Sequence, residues 1–417
     1  MTMPAADVVD VEIASIAAGG DGVGRAGGLV VFIPRTAPGD RVRARVRMVK
    51  RFARGSIESV LAASPERVDP PCAHYRQDRC GGCQLQHLGY ESQLHAKSGI
   101  VHDSIARIGK RLVSAPIVRP SPREWRYRAK LTLAMRADEQ GWRMGLHPYD
   151  DPSAVFQLVD CPITDERVVS TWREIMAAAD LLPRVPELRG FVRLVADSET
   201  RVIVIEGGSE WASASEFFGK IPSAGALWWQ PEGAARRLIA QRSDVPAGAS
   251  FGQVNPEVAD ALRTYVVERA LGYAPRTVVD AYAGTGDTAV TIAERGVRVT
   301  AIELDREAAK QSASLLPSGS RSLSGRVEDL LSRALPADVV LVNPPRAGLD
   351  ARVTAILGRH ARSTRAIVYV SCNPATLARD LARLPDFGIA SVVAFDMFPQ
   401  TAHVETVCTL VPHEAAA

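Results

Sequence analysis

The chain has 417 residues, 23% of them charged, with a formal net charge of +3. That length exceeds what one hydrophobic core usually serves and implies two or three domains. No run approaches the ~20 apolar residues of a membrane span, and the opening MTMPAADVVDVE is acidic rather than signal-like, so membrane and secretory classes are set aside and a cytoplasmic protein is expected.

In chain order, Val8 to Val60 alternates short apolar runs with Gly-rich turns, which predicts a small all-β barrel over about 1–62. Within it, Arg41, Arg43, Arg45 and Arg47 share one strand face by the two-residue period, while Val42, Ala44, Val46 and Met48 share the other. Lys50, Arg51 and Arg54 extend the positive stripe. A net charge this small does not itself argue for nucleic acid, but like charges in register repel, and a phosphate backbone relieves that repulsion. A solvated outer face is the plainer alternative.

From 63 to 245 the chain carries Cys72-X7-Cys80-Gly-Gly-Cys83 and, far downstream, Cys161-Pro162. Six cysteines in a cytoplasmic chain point to ligand or catalytic roles rather than to disulfides. Spacing alone leaves both a four-cysteine zinc site and an iron–sulfur cluster open. Lys130–Arg136 and Phe191–Val195 read as strands, and Arg126, Tyr127, Arg128 and Lys130 interleave charge with an aromatic in the manner of a single-stranded RNA contact. A solvated strand face is the alternative here too.

From 246 to 417 strands and helices alternate, with strands expected near 277–283, 298–304, 338–343, 366–371, 391–397 and 405–411. The pattern predicts an α/β fold with a doubly wound, mostly parallel sheet. After Thr277–Asp280 comes Ala281-Tyr282-Ala283-Gly284-Thr285-Gly286-Asp287, a Gly-X-Gly turn opening a helix, and the next strand ends in Glu303, placed to accept hydrogen bonds from ribose hydroxyls. Asp287 would repel a pyrophosphate, so S-adenosylmethionine fits better than a dinucleotide. Asp338–Asn343 runs into Pro344-Pro345-Arg346, and the apolar run Ala366–Val370 delivers Ser371-Cys372-Asn373-Pro374, with Asn373 as N-cap and Pro374 at the first helical position. Cys372 at a helix N-terminus is expected to ionise readily. Such a thiolate suits addition to C6 of a pyrimidine, which makes C5 nucleophilic, and Glu405 in Asp396–Glu405 suits removal of the C5 proton.

SCNPATLARD, DMFPQTAHVE, Ser250-Phe-Gly-Gln-Val-Asn255 and NPPRAGL resemble the RNA uridine C5-methyltransferases along the whole chain. The resemblance implies a TRAM-type, OB-like barrel at 1–62, a central α+β iron–sulfur and RNA-binding domain at 63–245 and a class I methyltransferase domain at 246–417. It implies Cys372 as nucleophile and Glu405 as base, His403 being the lesser candidate. Gln253, Tyr282, Gly284, Asp287, Glu303, Asp329 and Asn343 would form the S-adenosylmethionine site, with Phe251 beside a flipped-out base. Cys72, Cys80, Cys83 and Cys161 would hold a [4Fe-4S] cluster, and Cys408 would be core. Two departures stand out: Asn343 occupies a position usually held by Asp, and the first cysteine spacing is two residues longer than usual. The substrate implied is structured RNA, 23S rRNA ahead of tRNA, modified by a monomer. Asn-Pro-Pro also occurs in amino-group methyltransferases, and a non-catalytic RNA-binding protein on the same scaffold is a further alternative.

Overall fold

The computed structural model describes residues 7–139, 141–195, 199–242 and 253–413. Strands Asp7–Ile16, Gly22–Ala26, Leu29–Ile33, Arg41–Val49 and Phe52–Ala62 close into a barrel in the order first, second, third, fifth, fourth. Period-two alternation turns Val11, Ile13, Val31, Ile33, Val42, Ala44 and Ala53 inward to fill it. The four arginines of Arg41–Val49 point outward, as their spacing predicts, but Met48 is exposed as well. Arg43 pairs with Asp10 at 2.8 Å and Arg45 with Glu58 at 2.5 Å, so the positive stripe is partly neutralised.

A second, six-stranded sheet runs in the order Arg237–Gln241, Ala224–Gln230, Arg201–Glu206, Glu187–Leu194, Lys130–Asp138, Gly141–Gly145. Helix Glu166–Ala177, capped by the Asp165 carboxylate, buries Val168, Val169, Trp172 and Ile175 against it at helical spacing.

The third sheet has eight strands, in the order Arg321–Ser324, Arg298–Glu303, Thr277–Ala281, Val339–Val342, Ala366–Ser371, Glu405–Pro412, Phe387–Phe395, Ile117–Arg119. The first five are parallel, and Glu405–Pro412 is antiparallel to both its neighbours. Two of the eight were not foreseen. Arg321–Ser324 is short and polar in three of its four residues, and Ile117–Arg119 comes from the middle stretch of the chain, where a three-residue strand leaves no periodicity to read. Helix Tyr90–Arg107 accompanies it and packs on helix Pro374–Ala382, so residues 90–119 join the catalytic sheet. Among the described residues no helix is long and apolar enough to cross a membrane.

Candidate active site

Strand Ala366–Ser371 is buried throughout and ends at Cys372. Asn373 takes up extended backbone geometry, its side chain accepting from the backbone N–H of Ala375 at 3.0 Å and Thr376 at 3.4 Å, and Pro374 opens the helix. Antiparallel pairing sets Ser371 opposite Thr406 and Val370 opposite Val407. Continued by one rung, this register brings Glu405 beside Cys372, close enough for its charge to act on the thiol, at the C-terminal edge of the parallel strands, where open α/β sheets bind ligands.

The thiol does not have the lowered pKa expected at a helix N-terminus. Burial raises it, the negative charge of Glu405 raises it further, and Arg346 and a backbone N–H oppose them. One cap and a partial dipole are outweighed by desolvation and a facing carboxylate. Glu405 itself is 7% exposed, and burial pushes its carboxyl up to about 7, with Arg346 pulling it back. A base with that value is about half ionised at neutral pH and a poor base below it.

This raised value ties function to stability. A carboxyl that holds its proton more tightly folded than unfolded favours the fold below its unfolded value and loses that contribution as pH rises through the folded one. The window runs from the ordinary 4.5 to about 7. Glu405→Gln is therefore expected to match the native protein in urea unfolding at pH 4 and to exceed it by about 3 kcal/mol at pH 8. Equal stability at pH 8 would show that the carboxylate is solvated.

The Gly-X-Gly turn is shaped to receive a ligand. Gly284 and Gly286 have φ of +58° and +88°, Tyr282 sits at +66° without being glycine, and a Cβ built on Gly284 would stand in open space. A Cβ on Gly286 would instead fall 2.3 Å from Ser312 Oγ, so this position requires glycine. Glu303, at the end of its strand, accepts from the N–H of Gly284 and of Asp305, both at 2.8 Å, which aims its carboxylate along the turn. Asn343 follows the neighbouring strand and donates its N–H to Ala281 O at 3.2 Å. Glu303, Tyr282, Gly284 and Asn343 are thus brought to one edge of the sheet. Asp287 opens its helix, ion-paired with Arg263 at 3.3 Å, and Asp329 is exposed and held by Arg352 at 2.9 Å. Gln253 is exposed just ahead of the N-cap Asn255. Phe251 lies outside the described residues.

Cys72, Cys80, Cys83 and Cys161 are all buried and line one cavity of about 120 Å³, together with Arg128, Leu146 and Ile163. Burial pushes the Cys80 thiol up to about 12 and raises those of Cys83 and Cys161. Among the described residues no three His, Cys, Asp or Glu side chains converge closely enough to hold a single metal ion. Four buried thiols around one void are the donor set that either a zinc ion or an iron–sulfur cluster would use. Arg35 of the barrel donates to the carbonyls of Tyr75 and, at 3.0 Å, Cys80, and lies over the rings of Tyr75 and Tyr149.

Three side chains expected to meet RNA are engaged inside the protein. Tyr127 is 1% exposed and donates its hydroxyl to Pro399 O, so it is no stacking platform. Arg126 grips Asp160, and Lys130 lies 3.8 Å from the centre of the Phe191 ring. Cys408 is in the core, as expected. Sequence reasoning missed the functional weight of Arg346, whose charge reaches both Cys372 and Glu405, and of the polar pair Gln93 and Lys97. Both members of that pair sit, four residues apart, on the buried stripe of Tyr90–Arg107. Polar residues recurring on an otherwise apolar stripe were the available signal.

Comparison with known proteins agrees with this geometry. The tRNA (Uracil-5-)-methyltransferase family profile matches residues 318–412, and the TRAM domain profile matches 6–57. An uncharacterized RNA methyltransferase of Halalkalibacterium halodurans is 32% identical over 97% of both chains. One from Gloeobacter violaceus is 33% identical over 96% of both. The Pyrococcus abyssi tRNA (uracil-54, C5)-methyltransferase, solved with S-adenosyl-L-homocysteine, superposes with a TM-score of 0.71 at 25% identity, covering 96% of this chain and 99% of that one. The chain belongs to the S-adenosylmethionine-dependent RNA methyltransferases of the uracil-5 type that carry an N-terminal TRAM domain.

Proposed function

We propose that this protein methylates C5 of a uridine in structured cytoplasmic RNA, 23S rRNA in the first instance, through a covalent bond between Cys372 and C6. The observation that carries this reading is the register pairing Ser371 with Thr406, which, continued by one residue, sets Cys372 beside Glu405 at the sheet edge that also carries the glycine turn. Bound S-adenosylmethionine supplies the electrophilic methyl group. Gln253, Tyr282, Gly284, Glu303 and Asn343 would hold it, with Asp287 and Asp329 at the margin. Once its proton has passed to solvent, the Cys372 thiolate forms the S–C6 bond and so moves electron density onto C5. Once C5 carries its methyl group, Glu405 takes the C5 proton, the C5–C6 double bond re-forms, and the S–C6 bond breaks to return the thiolate. Arg346 faces both groups and steadies the thiolate. Cys72, Cys80, Cys83 and Cys161 would hold a [4Fe-4S] cluster with a structural role, since no step here needs an electron.

A tRNA substrate is the second reading, favoured by the likeness to the Pyrococcus abyssi enzyme. Incubation with labelled S-adenosylmethionine and unmodified 23S rRNA or tRNA, followed by nucleoside mass spectrometry, decides between them. Label in 5-methyluridine from the rRNA alone is the expected result. Label from tRNA alone moves the substrate to the second reading, and label in an exocyclic amino group would overturn both.

A further inference from the structure

The loop 396–404, which leads into Glu405, is held largely by residues about three hundred positions upstream. Gln400 is its hub, a non-glycine residue at φ +70° and 2% exposed. Its carbonyl accepts from the backbone N–H of Gln84 at 3.2 Å and Leu85 at 3.0 Å. Its own N–H donates to Gln93 Oε1 at 2.9 Å, and Gln93 Nε2 donates back to Gln400 Oε1 at 2.9 Å and to Leu88 O at 3.0 Å. Gln84 follows Cys83 directly; its Oε1 accepts from the N–H of Ala402 at 3.4 Å while its Nε2 donates to Gly81 O at 2.8 Å. The Tyr127 hydroxyl holds Pro399 O at 3.0 Å. Cys372, by contrast, is held by a strand paired with Val339–Val342 and Glu405–Pro412 and by the Asn373 cap, and takes no hydrogen bond from Gln84 or Gln93.

We propose that Gln93, with Gln84 beside the cysteine pair, is a positioning residue for Glu405, so that removal of the C5 proton depends on it and attack by Cys372 does not. The proposal rests on the roles given above to Cys372 and Glu405. A shortened Gln93 leaves the buried Gln400 N–H without its acceptor, and the left-handed backbone at Gln400, still tethered through its carbonyl, relaxes on its N–H side. The carboxylate then withdraws from C5, and the reaction stops with C5 methylated, H5 still on the ring and the S–C6 bond unbroken.

The test uses the full-length, metal-loaded protein in native, Gln93→Ala and Gln84→Ala forms, with a substrate RNA and the same RNA carrying 5-fluorouridine, whose C5 bears no proton to remove. Label from S-adenosylmethionine is followed on denaturing gels. All three proteins are expected to trap the fluorinated RNA equally. On ordinary RNA, Gln93→Ala should turn over at least about tenfold more slowly with unchanged KM for RNA and should carry labelled RNA bound to protein, which the native enzyme does not. Gln84→Ala, which keeps its backbone N–H bond, should show the same pattern more weakly and stands in should Gln93→Ala misfold. Loss of trapping with fluorinated RNA in the variants alone, or turnover without a retained adduct, would overturn the positioning role. Failure of the native protein to trap fluorinated RNA would overturn the covalent reading beneath it.

Discussion

Replacement of Cys372 by alanine is expected to lower methyl transfer by at least about 10⁴-fold, the scale on which removal of a nucleophile acts, while RNA binding is retained. The side chain sits at the end of a fully buried strand whose backbone pairing does not involve the sulfur, so the fold should survive the change. Glu405→Gln should differ in kind. The amide cannot take the C5 proton, so turnover falls by about 10²–10⁴-fold, but the S–C6 bond still forms and the protein is recovered attached to methylated RNA. Incorporation of label into free RNA and into an RNA–protein band, measured side by side, separates the two variants. Near-native activity in Cys372→Ala would exclude covalent catalysis and return attention to amino-group transfer.

The second large effect concerns stability. Lys97 and Asp396 form an ion pair in which both side chains are 0% exposed, and the ammonium also donates to Phe398 O at 3.0 Å. Burial lowers the pKa of Lys97, and the Asp396 charge works against that shift. Removing one partner from such a pair leaves an uncompensated charge in the interior. Asp396→Ala is therefore expected to cost about 3–5 kcal/mol in urea unfolding. The double variant Lys97→Met with Asp396→Leu should lose markedly less than the two single changes summed, because it leaves no charge behind. A cost below about 1 kcal/mol for Asp396→Ala would mean that water reaches the site.

What could be read from the residues alone divides by range. The strand-to-helix switch at Cys372 was legible because an N-cap Asn and a first-turn Pro act within a few residues. The parallel strands from 277 onward were legible because buried apolar runs separated by helices have one common solution. The burial of Tyr127 was not, because period two tells that faces differ and not what lies against each; here the hydroxyl meets a loop almost three hundred residues downstream. The raised thiol of Cys372 was missed for the same reason, since its causes, burial first and then a carboxylate on another strand, both come from distant parts of the chain. Ile117–Arg119 escaped because three residues carry no period, and its partner Phe387–Phe395 is equally remote.

Strand Glu405–Pro412 is later in the chain than both of the strands it separates, Ala366–Ser371 and Phe387–Phe395. Until it arrives, a growing chain holds two unpaired strand edges facing a gap, one of them on a strand that is buried throughout in the finished fold, which is the arrangement most open to pairing with another molecule. Synthesis that stalls between residues 395 and 405 thus leaves an aggregation-prone, inert intermediate. The step that closes the gap is also the step that brings Glu405 up to Cys372, so the two groups proposed to share the chemistry come together in the same event that covers both strand edges.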